Sequence, residues 1–304
     1  MAEASFAKSL FYGVIAEDSI VPYPAIPRVE QDRALALLDK TRRLCEREVD
    51  SRAIDERGAI PEPVFAGFRE LGLFGLSIPQ GHGGAGFSVT AQARAIEEIA
   101  GIDSSVAAML GAHLTIGTAG PLLFGKDELR ARILPRMARG EAIGAFALTE
   151  PSAGSDAAGI QTRAEPGEGG SYVLSGSKSW VTNGDVAGVY TVFARTSPPE
   201  EDAKPKITGF VVERSDAIVP GASEGKLGMR GAWTGDVKLV KAVAPAGNVL
   251  LAAGKRVTLD LGGPLKLQVE QGALDALVSN GGAIVADGGF IYLTARAPDQ
   301  LTTA

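Results

Sequence analysis

The chain has 304 residues, 45% hydrophobic and 22% charged, with a formal net charge of −6. This is the composition of a globular protein with room for one large domain or two ordinary ones, and its mildly acidic balance argues against a nucleic-acid footprint, which needs clustered Lys and Arg. The single cysteine, Cys45, excludes an internal disulfide, and with only His82 and His113 beside it the sequence argues against any Cys/His metal site.

Residues 1–26 read as an N-terminal extension. Its start, MAEASFAKSLFYG, is too short and too interrupted by polar residues for a secretory signal. No run of about 18 apolar residues stands out as a transmembrane helix, so the expected compartment is the cytoplasm.

Residues 27–145 read as helices. VEQDRALALLDKTRRLCEREVDSRA sets Leu35, Leu37, Leu38 and Leu44 near helical spacing among charges. IPEPVFAGFRELGLFGL opens with proline and carries Phe65, Phe68 and Leu71 at steps of three. IPQGHGGAGFS is a glycine-rich loop. DSSVAAMLGAHLTIGTAGPLLFG predicts a mostly apolar, largely buried helix capped by Asp103 or Ser104. KDELRARILPRMARGE is amphipathic through Leu129, Ile133, Leu134 and Met137, and its Pro135 is expected to bend or break the helix.

Residues 146–240 change grammar. YVLSGSKSWVTNG, VYTVFART and ITGFVVER are β-rich runs separated by Gly, Pro, Asp and Ser, which predicts a β-domain. Residues 241–304 change again. Val257, Leu259, Leu261 and then Leu265, Leu267, Val269 alternate strictly, with Gly-Gly and Asp-Gly turns between. GNVLLAAG and GGFIYLTA read as two degenerate copies of one unit, which predicts the stacked rungs of a short β-solenoid.

Two stretches carry candidate chemistry. FALTEPSAGSDAAG runs from Phe146 to Gly159 and passes from a strand into a turn of small residues and hydroxyls. Exposed backbone N–H groups and hydroxyls there can bond a flat heterocycle or an anion. The same residues also suit a plain surface turn capped by Ser152 and Ser155. In SGSKSWVTNG, Trp180 and Thr182 lie two apart on a strand, so an aromatic face and a hydroxyl share one side. A core Trp beside an Asn-Gly hairpin turn accounts for it equally.

Taken together these stretches resemble the acyl-CoA dehydrogenases, most closely the very-long-chain type, from Ser5 to about Asp236. The matching segments include SFAKSLFYG, FRELGLFGLSIPQGHGGAGFS, LGAHLTIGTAGPLLFG, ILPRMARGEAIGAFALTEPSAGSDAAGIQTRA, YVLSGSKSWVTNG, ITGFVVER and KLGMRGAWT, in family order. The resemblance implies an α+β fold, with an N-terminal helical domain and a β-barrel-like or sandwich middle domain. It implies FAD as cofactor, lying on a floor made by Phe146, Ala147, Leu148, Thr149, Gly154, Ser155, Trp180, Val181 and Thr182. Ser155 would also touch the acyl-CoA substrate. Glu150 and Asp156 would be structural acids that hold the turn, and the MLGAHLTIG helix would line the acyl pocket with His113 as a core residue. The implied reaction is α,β-dehydrogenation of a long-chain acyl-CoA thioester. The implied electron acceptor is the electron-transfer flavoprotein, and the implied assembly is a homo-oligomer.

After about Asp236 the sequence departs from the family. The family's C-terminal four-helix domain, which the resemblance says brings the catalytic glutamate, the oligomer interface and further FAD contacts, is not legible in residues 237–304, and the expectation is that this chain lacks it. The catalytic base is therefore unknown. Glu270 sits in an alternating strand pattern and is not assigned to that role. Residues from about 247 to 300 resemble the β-helical filamentous haemagglutinin and adhesin repeats of two-partner secretion. The expectation is a dehydrogenase front half joined to a β-helix-like tail between Trp233 and Gly247, by a fusion or an assembly artefact. FAD affinity is expected to be weak and turnover doubtful. The alternatives are an exported β-helical structural protein, or a non-catalytic fragment that binds acyl-CoA or flavin.

Overall fold

The computed structural model describes residues 25–196 and 206–250, the strands at 255–260 and 266–271, and scattered positions before residue 25. Among the described residues the α-helices are α1 (Arg28–Glu48), α2 (Ser51–Arg57), α3 (Glu62–Leu71), α4 (Val89–Ala100), α5 (Ser104–Ala112), α6 (Thr118–Phe124) and α7 (Asp127–Ala138). Helix α1 buries Glu30, Ala34, Leu38, Thr41, Leu44 and Cys45, the steps of three and four of one helical face, and leaves Leu35 exposed. The buried Glu30 carboxylate accepts the Ser88 backbone N–H at 3.0 Å, and Ser88 in turn caps α4 by accepting from the Ala91 N–H. The single helix expected over this segment is two. Val49 is extended, and the Asp50 side chain accepts from the Ala53 N–H to start α2.

The apolar segment after Asp103 is interrupted as well. Asp103 caps α5 by accepting from Val106 N–H, as its sequence signal suggests. Residues His113–Gly117 then form a π-helical segment that leads into α6. Ser104–Phe124 as a whole is long and apolar enough, with hydropathy 1.4, to cross a membrane by length and composition, which corrects the sequence reading. Here it lies between α4 and the sheet, and its Val106, Met109, Leu110 and Leu114 belong to the helical core. Helix α7 continues through Pro135 without breaking. Leu134, Met137 and Ala138 on either side of it are buried, and that packing outweighs the lost hydrogen bond.

The strands are β1 (Ile143–Ala147), β2 (Arg163–Pro166), β3 (Tyr172–Thr182), β4 (Ala187–Arg195), β5 (Ile207–Glu213), β6 (Ile218–Ser223), β7 (Thr234–Ala244) and β8 (Val249–Leu250). They form one open sheet of order β6-β7-β3-β2-β4-β5-β8, and β1 pairs parallel to β4. The runs VYTVFA and GFVV are apolar throughout because β4 and β5 are covered on both faces. Tyr190, Val192, Phe210 and Val212 face the β-core, while Val189 and Val211 face Leu129, Ile133, Leu134 and Met137 of α7.

Two charged or polar devices lock α7 to the sheet. Glu213 receives both Arg132 and Arg136, the latter at 2.6 Å. Arg132 also donates to Asn248 Oδ1, and Asn248 Nδ2 donates to the Val211 carbonyl at 2.9 Å.

Strands β9 (Lys255–Asp260) and β10 (Lys266–Gln271) pair antiparallel, with Leu259 opposite Leu267 and Val257 opposite Val269. Consecutive strands joined this way make a hairpin, whereas solenoid rungs stack in parallel. The rest of the expected solenoid, including the GGFIYLTA copy, lies outside the described residues.

Candidate functional site

The site is assembled where the chain leaves β1 and runs beside β3. Ser179 donates its backbone N–H to the Thr149 carbonyl at 2.8 Å. Lys178 Nζ donates to the Leu148 carbonyl at 3.0 Å and to Glu150 Oε1 at 2.7 Å. Both side chains are shut off from water, at 0% and 3% exposure. The Glu150 carboxylate also accepts the backbone N–H of Gln161 at 2.5 Å and of Thr162 at 2.9 Å. Glu150 and Ala153 exchange backbone hydrogen bonds of 3.1 and 3.0 Å, which closes the turn. Burial works against the Glu150 carboxylate, but the Lys178 ammonium and these amides outweigh it and hold the carboxyl below its usual range. Burial pushes the Lys178 ammonium down, and the Glu150 carboxylate beside it works against that shift. Three hydrogen bonds from within the protein hold the Glu150 carboxylate in place.

Strand β3 carries a β-bulge directly after Lys178. Lys178 stands opposite Val237 and Val181 opposite Gly235, so Ser179 and Trp180 together face Asp236. Trp180 absorbs the extra residue with φ 59°, in the left-handed region, and the residue is 59% exposed. The bulge turns the indole outward, while Val181 returns to the β-core and Thr182 is half-buried on the Trp180 side.

The structure thus fastens Leu148 and Thr149 to Lys178 and Ser179, with Trp180 and Thr182 next along the same strand. Gly154 and Ser155 lie exposed in the following turn, with Asp156 exposed before the short 3-10 turn Ala157–Gly159. Two expectations change. The side chains of Ala147 and Val181 are buried in the β-core, so only their backbones are available to a ligand. Phe146 is half-buried, with its ring against Phe193 at 5.3 Å between centroids. The expected Asn-Gly hairpin is also corrected. β3 pairs with β7 and β2, not with β4, and Asn183 (φ 65°) turns its amide inward to the Met109 carbonyl at 2.9 Å. Glu270 lies in β10, opposite Arg256.

A second polar link ties the helices to β1. His113 is fully buried, with Nδ1 accepting from the Gly144 N–H and Nε2 on the Phe74 carbonyl. It is a core residue, as expected. Thr115 and Ile116, in the same π-helical segment, face solvent. Sequence reasoning missed Lys178 as a member of the site. The signal was present, because strand alternation places Lys178 on the face of Leu174, and an inward lysine requires an acid nearby.

Chemically, these residues offer an exposed indole face and two half-buried hydroxyls, with a third hydroxyl in the adjoining turn. Groups of these kinds are chemically suited to stacking on and hydrogen-bonding a planar heterocycle.

Comparison with known proteins agrees in both sequence and shape. Residues 31–141 match the N-terminal domain of acyl-CoA dehydrogenase, and residues 145–242 match its middle domain. The chain is 41% identical over 256 residues to the mitochondrial very long-chain specific acyl-CoA dehydrogenase of Homo sapiens, covering 82% of this chain and 39% of that protein. It is 38% identical over 260 residues to the probable acyl-CoA dehydrogenase FadE10 of Mycobacterium bovis, covering 84% of this chain and 40% of that one. Among solved structures, butyryl-CoA dehydrogenase from Megasphaera elsdenii superposes with a TM-score of 0.68 at 30% identity, over 76% of this chain and 61% of that one. An acyl-CoA dehydrogenase complexed with FAD from Bacillus anthracis superposes with a TM-score of 0.66 at 29% identity, over 75% and 39%. The chain therefore spans about two fifths of the length of these curated relatives. With both domain matches in chain order across more than half its length, the chain belongs to the acyl-CoA dehydrogenase family.

Proposed function

We propose that this chain provides the N-terminal and middle parts of an FAD-dependent acyl-CoA dehydrogenase that acts on long-chain acyl-CoA thioesters. The observation that carries the reading is Trp180. A large exposed ring held in a left-handed backbone, beside Thr149 and Thr182, is unfavourable to a free surface and suited to a stacked ligand. The residues present fit a flavin. Thr149 and Thr182 supply hydroxyls, Leu148 and Thr149 supply backbone at the strand end, and Trp180 supplies the stacking face. When bound, FAD supplies the two-electron acceptor for the oxidation. The chain's own part is to hold the ring, keep Ser155 at the exposed side for the thioester, and shield the floor from water. Glu150, committed to Lys178 and two amides, positions the turn and takes no proton. Long-chain acyl groups and an electron-transfer flavoprotein as the electron acceptor follow from the resemblance to the very-long-chain relatives.

Titration with FAD, followed by flavin absorbance and tryptophan quenching, tests this reading. The chain should bind FAD weakly, and Trp180→Ala with Thr149→Ala should weaken it further by about tenfold or more, as for a lost hydrogen bond plus a lost stacking face. Micromolar or tighter binding that is unchanged in the double variant would overturn it.

A further inference from the structure

Three hydrogen bonds in succession fasten residues 148–150 to residues 178–179. They run from Lys178 Nζ to the Leu148 carbonyl, from Ser179 N–H to the Thr149 carbonyl, and from Lys178 Nζ to Glu150 Oε1. The residue that follows is Trp180, at the bulge. Glu150 in turn is fixed by Gln161 N–H and Thr162 N–H, so the lysine is anchored on a carboxylate that cannot swing.

Packing alone does not call for this pair. A buried ion pair replaced by apolar residues of similar volume is often neutral or stabilising, because removing two charges from water is costly. What an apolar side chain does not provide is a donor for the Leu148 carbonyl, and that carbonyl lies in the candidate site. Without it, the Leu148–Thr149 backbone and the Trp180 bulge are linked only through the single Ser179–Thr149 bond.

We propose that the Lys178–Glu150 pair is a positioning device that sets the spacing between the Leu148–Thr149 backbone and the Ser179–Trp180 bulge, and so aims the indole at the bound flavin. The flavin part rests on the function proposed above. The aim of Trp180 does not, and it is measured without ligand.

The chain has two tryptophans, so a Trp233→Phe background leaves Trp180 as the sole reporter. In that background Lys178→Met is compared with Ile218→Ala, which cuts a buried side chain from the edge strand β6, separated from β3 by β7, and serves as a control for general destabilisation. Trp180 emission and acrylamide quenching are read on the apo protein, well below the unfolding temperature of each variant, and FAD is then titrated. Lys178→Met should change Trp180 accessibility and weaken FAD by about tenfold, the loss of one charge-assisted bond, while Ile218→Ala leaves both within about twofold. If Lys178→Met does not fold, Glu150→Gln removes the same anchor from the other side and should move Trp180 in the same way. Apo Trp180 signals that are the same in these variants as in Ile218→Ala would overturn the positioning role. If Trp180 moves with Lys178 while the parent protein takes up no FAD, the positioning role stands and the flavin reading fails.

Discussion

The His113 imidazole accepts the Gly144 backbone N–H at Nδ1, 2.9 Å away, and sits at 3.0 Å from the Phe74 carbonyl at Nε2. One neutral ring thereby joins the helical domain to the first residues of β1. Only the Nε2–H tautomer satisfies both contacts, and a proton on Nδ1 would face the Gly144 N–H. Complete burial pushes the ring's pKa from 6.5 down to about 4. Between those values the unfolded chain holds a proton that the folded chain refuses. Stability is therefore full above about pH 6.5 and falls as the pH drops towards 4, by about 1.4 kcal/mol per unit and about 3 kcal/mol in all. Urea unfolding at pH 7, 6, 5 and 4.5 measures this slope. His113→Gln should be less stable at pH 7 and should lose that part of the slope, and equal slopes in both proteins would refute the assignment.

Gly117 and Gly144 touch where the π-helical segment crosses β1. A Cβ on Gly117 would stand 2.8 Å from the Gly144 carbonyl carbon and oxygen, and no side chain there can move aside. Gly117→Ala should cost about 1–3 kcal/mol, as overpacking does. Gly81→Ala, where a Cβ meets nothing within 4 Å, should change stability by no more than about 0.5 kcal/mol. Paired urea midpoints check this, and equal midpoints would show that the two elements separate freely.

Turnover by the 304-residue chain is expected to fall far below that of an intact family member. Removing the α-proton of a thioester needs a positioned carboxylate, worth about 10²–10⁴-fold. Glu150 is locked to Lys178, and Asp156 is exposed in the turn. Anaerobic bleaching of FAD absorbance by palmitoyl-CoA provides the comparison. Bleaching as fast as the intact control would mean that Asp156, Glu270 or another group acts as base, and single changes to the matching amides would identify it.

Much of the architecture was readable from local signals. Asp103 capped its helix, and the all-apolar runs of β4 and β5 were strands because both faces are covered. What stayed hidden depended on distant partners. Asp50 reads as one more charge on a helix until its side chain is seen accepting from Ala53. Pro135 breaks a helix by local rules, and only burial of its neighbours against the sheet reverses that. Asn183-Gly184 has hairpin chemistry, but β3 finds its partners elsewhere, and pairing is decided by the whole sheet. In the candidate site, Trp180 and Thr182 were paired by strand alternation and Thr149 came from the resemblance, whereas the inward faces of Ala147 and Val181 follow from the pleat and the contact of Lys178 from a residue 28 positions away.

The left-handed backbone at Trp180 separates two quantities that a single substitution would confuse. Glycine adopts φ 59° without penalty, and alanine keeps most of the tension that tryptophan bears. Trp180→Gly and Trp180→Ala remove the same ring, so they should lose ligand affinity to a similar degree. In thermal unfolding without ligand the glycine variant should nevertheless be the more stable, by about 1 kcal/mol. The difference between the two is the strain released in the main chain at the bulge less the greater freedom of glycine in the unfolded chain, and the loss they share is what the ring itself contributes to recognition.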